Sequence, residues 1–415
     1  MGPIALFDKS FLQSLSVDES VWFDHFFLPV ICPLFYVETL ADLEKAVRQG
    51  RSPEQEVGII AQKVPEMSGG IVADHTQLAL RNLLGYELPM DGRIPRPGGR
   101  RVEVGGKKGV VYEPSPEEEA FNRWQKGEFL EVERRFARIW RSALYSLDLR
   151  VVEAGIKTLG IDPRACKTLQ TAQELASSFT KLSDFGPDRI RLTVMIIGGA
   201  RDLESQILQR FAQAGWPALA EAAPYAAHVV TVEIFFQIAV AANLISPERV
   251  SNRTDIAYMY YLPFCHAFIS SDRLHRRCVP LFLRQDQSFV WGLDLKSDLR
   301  ALNEHYSALP ESERQHGIMK FAGRPATSGV TAELWDRHLR PGFRRGAPAD
   351  QPPRDRAAER ELVAYINRFA GAPEATPEDV GLDIEEMDAI CIQRRVHKKK
   401  GSWWQLPHDL KGDNG

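Results

Sequence analysis

No two cysteines in this 415-residue chain are spaced as a CxxC pair, and the five present (Cys32, Cys166, Cys265, Cys278, Cys391) are scattered and odd in number. That argues against a disulfide framework and against a zinc site, and it predicts a reducing, cytoplasmic location. A long uninterrupted apolar run is also missing. The most apolar stretch, 229-VVTVEIFFQIAVAANLI-245, contains Glu233 and is short for a bilayer span. It reads as a buried helix whose Glu233 is hydrogen-bonded in the core or at a helix contact, so no membrane partner is expected. The first residues, MGPIALFDKSFLQSL, lack the basic and extended apolar regions of a secretory signal. Neither sign of charge dominates. With a formal net charge of −3, any attraction to nucleic acid has to come from local patches. No internal repeat is visible. What remains is an ordinary globular composition, in a chain long enough for two or three domain-sized pieces.

The apolar run 4-IALF-7 predicts a short strand, followed by Asp8 and a helix opening at KSFLQSL. In 28-LPVICPLFYVETLADLEKAV-47 the first part is apolar, and helical spacing begins at Val37. There Glu38 and Asp42 lie one helical turn apart and share a face. Between about 50 and 120 glycine and proline become dense. The segment 91-DGRIPRPGGRRVEVGGKKGVVYEP-114 predicts a loop or loose hairpin rich in arginine and lysine. A helical pattern runs from 116 to 182, and 190-IRLTVMIIGG-199 predicts a second strand. In 252-NRTDIAYMYYLPFCHAFISSDRLH-275 a helix starting near Asp255 is stopped by Pro263, 267-AFIS-270 is a buried strand, and Asp272 lies just beyond it. Past 343 come a Pro/Arg/Asp-rich linker, a helix over 361–371 and a basic tail, 394-RRVHKKKGSWWQL-406.

Asp8 and Asp272 each follow the carboxyl end of a strand, which is where a parallel α/β sheet binds ligands. Glu38 and Asp255, on helices beside the sheet, are placed to join them. Four converging carboxylates repel unless cations neutralise them. With no His or Cys at ligand spacing, the ligands are all oxygen, which suits Mg²⁺ or Mn²⁺. Such ions hold a phosphate, lower the pKa of a bound water and stabilise a leaving oxygen, so the reaction class is phosphodiester hydrolysis. Each acid also has a structural explanation. Asp8 suits a helix N-cap, Glu38 has Asp42 as a rival on its face, Asp255 suits a helix first turn, and Asp272 suits a turn. His275 reads as part of a solvated face, with Arg273 the better phosphate contact; Cys265 and His266 read as structural.

The order of these elements resembles the PIN-like nucleases. That superfamily opens on an apolar strand ending in Asp with Ser, Thr or Asn close behind, here 4-IALFDKS-10. It carries a second acid on an early helix, here Glu38 in 34-LFYVETLADL-43. It ends with Asp, a Leu/Pro/Cys turn, an apolar strand and a further Asp, here 255-DIAYMYYLPFCHAFISSDRLH-275. The resemblance implies an α/β/α sandwich with a central parallel sheet. Asp8, Glu38, Asp255 and Asp272 become metal ligands, Ser10 a residue ordering Asp8 or a phosphate, and RNA rather than DNA the substrate. It covers 1–48 and 188–310, leaving 49–187 as a mostly helical insertion and 311–415 as a C-terminal extension.

Standalone domains of that family are far shorter. The insertion and tail are therefore expected to act as a substrate platform, a lid or a surface for a partner protein. Arg96, Arg100, Arg101, Lys107 and Lys108 in the basic loop are the candidate nucleic-acid contacts there. Trp403 and Trp404 either stack on bases or pack the tail onto the core. The alternative to a nuclease is a catalytically silent scaffold that binds a partner protein.

Overall fold

The first apolar run becomes the middle strand of the molecule. A computed structural model describes residues 2–45, 50–146, 149, 166–183, 185–198, 201–339, 356–375 and 387–409. Its main sheet comprises β1 (Ile4–Phe7), β2 (Leu28–Ile31), β3 (Gly70–Ile71), β6 (Ala267–Ser270) and β7 (Ser288–Trp291). The intervening β4 (Arg100–Val104) and β5 (Lys107–Tyr112) join β8 (Met387–Ile392) in a second, three-stranded sheet. The main sheet has the order β3-β2-β1-β6-β7, and every pairing is parallel. Ala5, Leu6 and Phe7 point alternately to the two faces, yet all three are fully buried. Cover on both faces explains why β1 and β6 read as continuous apolar runs rather than alternating ones. The result is an α/β fold with helices packed around a five-stranded parallel sheet, consistent with an α/β/α sandwich.

Two expectations are corrected. The strand expected at 190–199 is not formed over its described residues, 190–198, because Pro187–Ile197 is a helix that ends at Gly198 in the left-handed region, φ 78°. Ile190, Thr193, Val194 and Ile197 are buried along it at helical spacing. That period overrides the β-branched composition, and Pro187 supplies a helix start. The strand the sequence reading did not find is β3, two residues inside the Gly-rich stretch, paired with β2 at the edge of the sheet. The segment 49–187 is therefore not set apart from the sheet. Val57, Ile71, Trp124 and Ala172 from it share one hydrophobic core with Leu6 and Phe268.

The apolar helix Pro224–Ala241 is the one helix among the described residues long and apolar enough to cross a membrane, and most of it is packed inside the molecule. Glu233 within it is held by Arg253 at 2.6 Å, so its charge is paired as the sequence required. The linker read at 345–361 falls mostly outside the described residues. Beyond it, the helix Arg356–Gly371 packs on the second sheet around Val102, Val111, Phe369 and Cys391.

The basic tail is docked. Arg394 donates to the carbonyls of Ser68 (3.0 Å) and Gly69, and Lys400 Nζ donates to the carbonyl of Val64 (2.7 Å). Trp403 is buried edge-on to Trp22, with ring centroids 4.7 Å apart, and both indole N–H groups donate to Asn303 Oδ1, at 2.8 and 3.1 Å. Trp403→Phe removes one of those hydrogen bonds and part of the ring. It is expected to lower stability by about 1–2 kcal/mol, read as a shift of the urea midpoint with an unchanged slope.

Candidate functional site at the carboxyl end of the sheet

Asp8 caps the helix Lys9–Ser14, with Oδ1 accepting from the Phe11 N–H at 2.9 Å. The structural reading of this residue is thus correct, but it accounts for one oxygen only. Oδ2 accepts from Ser10 Oγ at 2.7 Å and from Ser270 Oγ at 2.8 Å, and lies 3.4 Å from His275 Nδ1. Asp272 is built the same way. It caps the helix Arg273–Cys278 by accepting from the Leu274 N–H at 2.6 Å. Its own N–H donates to Ser270 Oγ at 2.9 Å. Ser270, the last residue of β6, thereby ties the two acids together.

Glu38 lies on the helix Pro33–Leu40, half-buried, and accepts from the Tyr258 hydroxyl at 2.5 Å. Its rival Asp42 is committed elsewhere, because Lys9 and Lys45 both hold it at 2.6 Å. Asp255 sits in the helix Asn252–Ala257, half-buried, and among the described residues no protein group donates to its carboxylate. Burial pushes its pKa up to about 7. The positive His275 opposes this, while the charges of Glu38, Asp272 and Asp8 add to it. Burial raises Glu38 as well, against Lys9 and the Tyr258 hydrogen bond and with help from Asp8 and Asp42. These mutual influences place all four predicted acids in one electrostatic cluster, at the end of the sheet where ligands bind in parallel α/β folds.

His275 is the residue that sequence reasoning missed. It is fully buried, not solvated. Its Nε2 faces the Asp255 backbone carbonyl at 2.5 Å, and its Nδ1 faces Ser270 Oγ at 2.8 Å. A carbonyl can only accept, so Nε2 carries a proton. Burial alone would lower this imidazole. The hydrogen bond and charge of Asp8, then the charge and carbonyl of Asp255, outweigh it and hold the pKa up to about 9. The signal was present in the helix periodicity. Leu274, His275 and Cys278 form the buried side of their helix, and Arg273, Arg276 and Arg277 the exposed side.

The basic-loop assignments need correction in part. Arg96 is almost buried, pairs with Glu118 at 3.0 Å and lies 5.3 Å over the Tyr112 ring. Arg100 donates to the carbonyls of Ala370 (2.7 Å) and Ala372, closing the last turn of Arg356–Gly371. Both guanidiniums hold the fold together. Arg101, Lys107 and Lys108, on the β4–β5 hairpin, also have partners within the structure. Ser10, besides holding Asp8, accepts from the Ser271 N–H at 3.3 Å, and Arg273 is exposed directly after Asp272. Cys265 is a buried thiol pushed up to about 12 by desolvation. His266 accepts from the Ile4 N–H at 3.1 Å and stacks on His338, so this pair is structural.

Among the described residues, no group of three or more His, Cys, Asp and Glu side chains stands arranged to hold a metal ion. The donor chemistry does suit one: oxygens only, with the Asp255 carboxylate and one oxygen each of Glu38 and Asp272 free of protein donors among the described residues. No family model, curated protein or solved structure matches the chain.

Proposed function

We propose that this protein is a Mg²⁺- or Mn²⁺-dependent nuclease of the PIN-like kind, hydrolysing phosphodiester bonds of RNA in preference to DNA. The observation that carries the reading is Asp255. It is a carboxyl group without a protein donor among the described residues, set within the field of three further acids at the carboxyl end of a parallel sheet. A hard divalent cation is the ligand that such an oxygen set favours. The strand order supports the resemblance as well, since acids from the two ends of the motif meet across adjacent strands β1 and β6.

Asp8, Glu38, Asp255 and Asp272 would hold the ion. When bound, it supplies charge to the phosphate oxygens and lowers the pKa of water. The chain's own residues do the rest. Ser10, Ser270 and His275 fix Asp8, Tyr258 orients Glu38, and Asp255 releases its proton near neutral pH. The five described cysteines are buried and none is in a disulfide, which suits a reducing cytoplasm.

One observation favours the alternative of a silent scaffold. Asp8 is already surrounded by four donors, and His275 already supplies a cation. A cleavage assay separates the two readings. Labelled single-stranded RNA, single-stranded DNA and duplex DNA are each incubated with Mn²⁺, Mg²⁺ or EDTA, beside Asp272→Asn. Cleavage of RNA with either metal, none in EDTA and none by the variant is the expected result. No cleavage, together with no Mn²⁺ binding by calorimetry, would decide for the scaffold.

A further inference from the structure

The helix Arg273–Cys278 turns its buried side, Leu274, His275 and Cys278, into the core, so its opposite side cannot rotate away from solvent. Arg273, Arg276 and Arg277 occupy that side at i, i+3 and i+4 and are all exposed. Among the described residues, none of the three has a carboxylate partner; Arg277 donates only to the Leu244 carbonyl, at 3.1 Å. Two other exposed arginines, Arg93 and Arg324, are by contrast held by Asp91 and Asp336. Three uncompensated cations therefore stand directly after Asp272, at the edge of a cluster of four acids.

An aromatic ring completes the patch. Trp291, the last residue of β7, pairs in register with Ser270 and is half-buried at the same end of the sheet. The Arg276 guanidinium lies 5.0 Å from its ring centroid. A guanidinium held against a ring face in this way keeps N–H donors available for a phosphate. A polyanion approaching four carboxylates needs positive charge next to them, and this face supplies it.

We propose that Arg273, Arg276, Arg277 and Trp291 form the track along which a single-stranded nucleic acid enters the acid crevice. The arginines contact successive phosphates, and an unpaired base stacks beside Trp291. A single strand is favoured because a base inside a duplex has no free face to offer a tryptophan. The proposal rests on the nuclease reading for the purpose of the crevice, and its test keeps the two separable.

The test is fluorescence anisotropy with a labelled single-stranded oligoribonucleotide and its duplex, in EDTA and again in Ca²⁺, across a salt series. The proteins are the full-length chain, the triple variant Arg273→Gln/Arg276→Gln/Arg277→Gln, and Trp291→Ala. An unchanged thermal midpoint of the triple variant confirms its fold. The triple variant is expected to bind at least about tenfold more weakly, with its log–log salt slope shallower by roughly 2, at about 0.7 per lost phosphate contact. Trp291→Ala is expected to weaken the single strand about tenfold with the slope retained, and to leave the duplex unaffected. Equal binding by wild type and triple variant, or no binding by wild type, overturns the track. Equal loss of single strand and duplex in Trp291→Ala overturns the single-strand assignment. Binding lost in the triple variant while the wild type fails to cleave in Mn²⁺ keeps the track and removes the nuclease reading. Wild-type kcat/KM in the triple variant does the reverse.

Discussion

Replacing His275 by leucine is expected to destabilise the fold by about 3–5 kcal/mol at pH 6, the usual range when one partner of a buried charged pair is removed. Leucine fills much the same space and keeps the helix side apolar, so packing alone does not account for a loss of that size. What disappears is the cation 3.4 Å from Asp8 Oδ2 and the donor to the Asp255 carbonyl. Asp8 is left buried with its charge, and a buried carbonyl is left unsatisfied. The pH dependence identifies the cause. The folded-state pKa of His275 is raised to about 9, above its unfolded value of about 6.5. Its contribution is therefore fully present below the unfolded value and fades as pH rises through the folded one. Urea melts of both proteins at pH 6 and pH 9.5 are expected to show a wide gap that narrows at the higher pH. A gap of equal size at both would mean that shape, not charge, is what His275 contributes.

Asp255→Asn is expected to act in the opposite direction and stabilise the metal-free protein at pH 8. The carboxyl is raised to about 7 by burial and by its acidic neighbours, whereas in the unfolded chain it ionises near 3.9. Between those values the folded state binds the extra proton, so this group lowers stability as pH climbs from about 4 to about 7 and leaves it level above. Asparagine keeps the shape and never ionises. A gain on the order of 2 kcal/mol at pH 8 follows after discounting for residual solvent contact, with no gain at pH 3.5. The same substitution is expected to abolish Mn²⁺ binding in calorimetry. For the wild type, apparent Mn²⁺ affinity should rise with pH until about 7, because ion and proton compete for one carboxylate. An Asn variant that is no more stable at pH 8 would show that Asp255 is not under strain in the folded chain.

The sequence disclosed some of the crevice residues and hid others. Asp8 and Asp272 were legible because a strand buried on both faces is an unbroken apolar run, and an acid at its end stands out. Glu38 was separable from Asp42 only by partners, since both share a helical face and only the structure brings Lys9 against Asp42. His275 was hidden by its neighbours. Three arginines in its helix suggested a solvated element, and its partners Asp8 and Asp255 lie on two other elements, each placed by the tertiary fold. Strand β3 could not be found by periodicity, having two residues and one of them glycine. Residues 187–197 deceived for the converse reason, because their β-branched residues also fit a helical stripe. Arg96 and Arg100 show that charge in a loop says nothing about its use. Their partners, Glu118 and the carbonyls ending a helix at Gly371, are fixed only by the packing.

The sheet order has a consequence for synthesis. β1 leaves the ribosome long before its partner β6, so Ala5 must wait for Ala267. At about 5–20 residues per second that interval is on the order of 10–50 s. Throughout it one edge of the central strand has no hydrogen-bonding partner, and its apolar faces are only partly covered. Asp272 emerges at the end of the same interval, so the crevice cannot bring its four acids together before then.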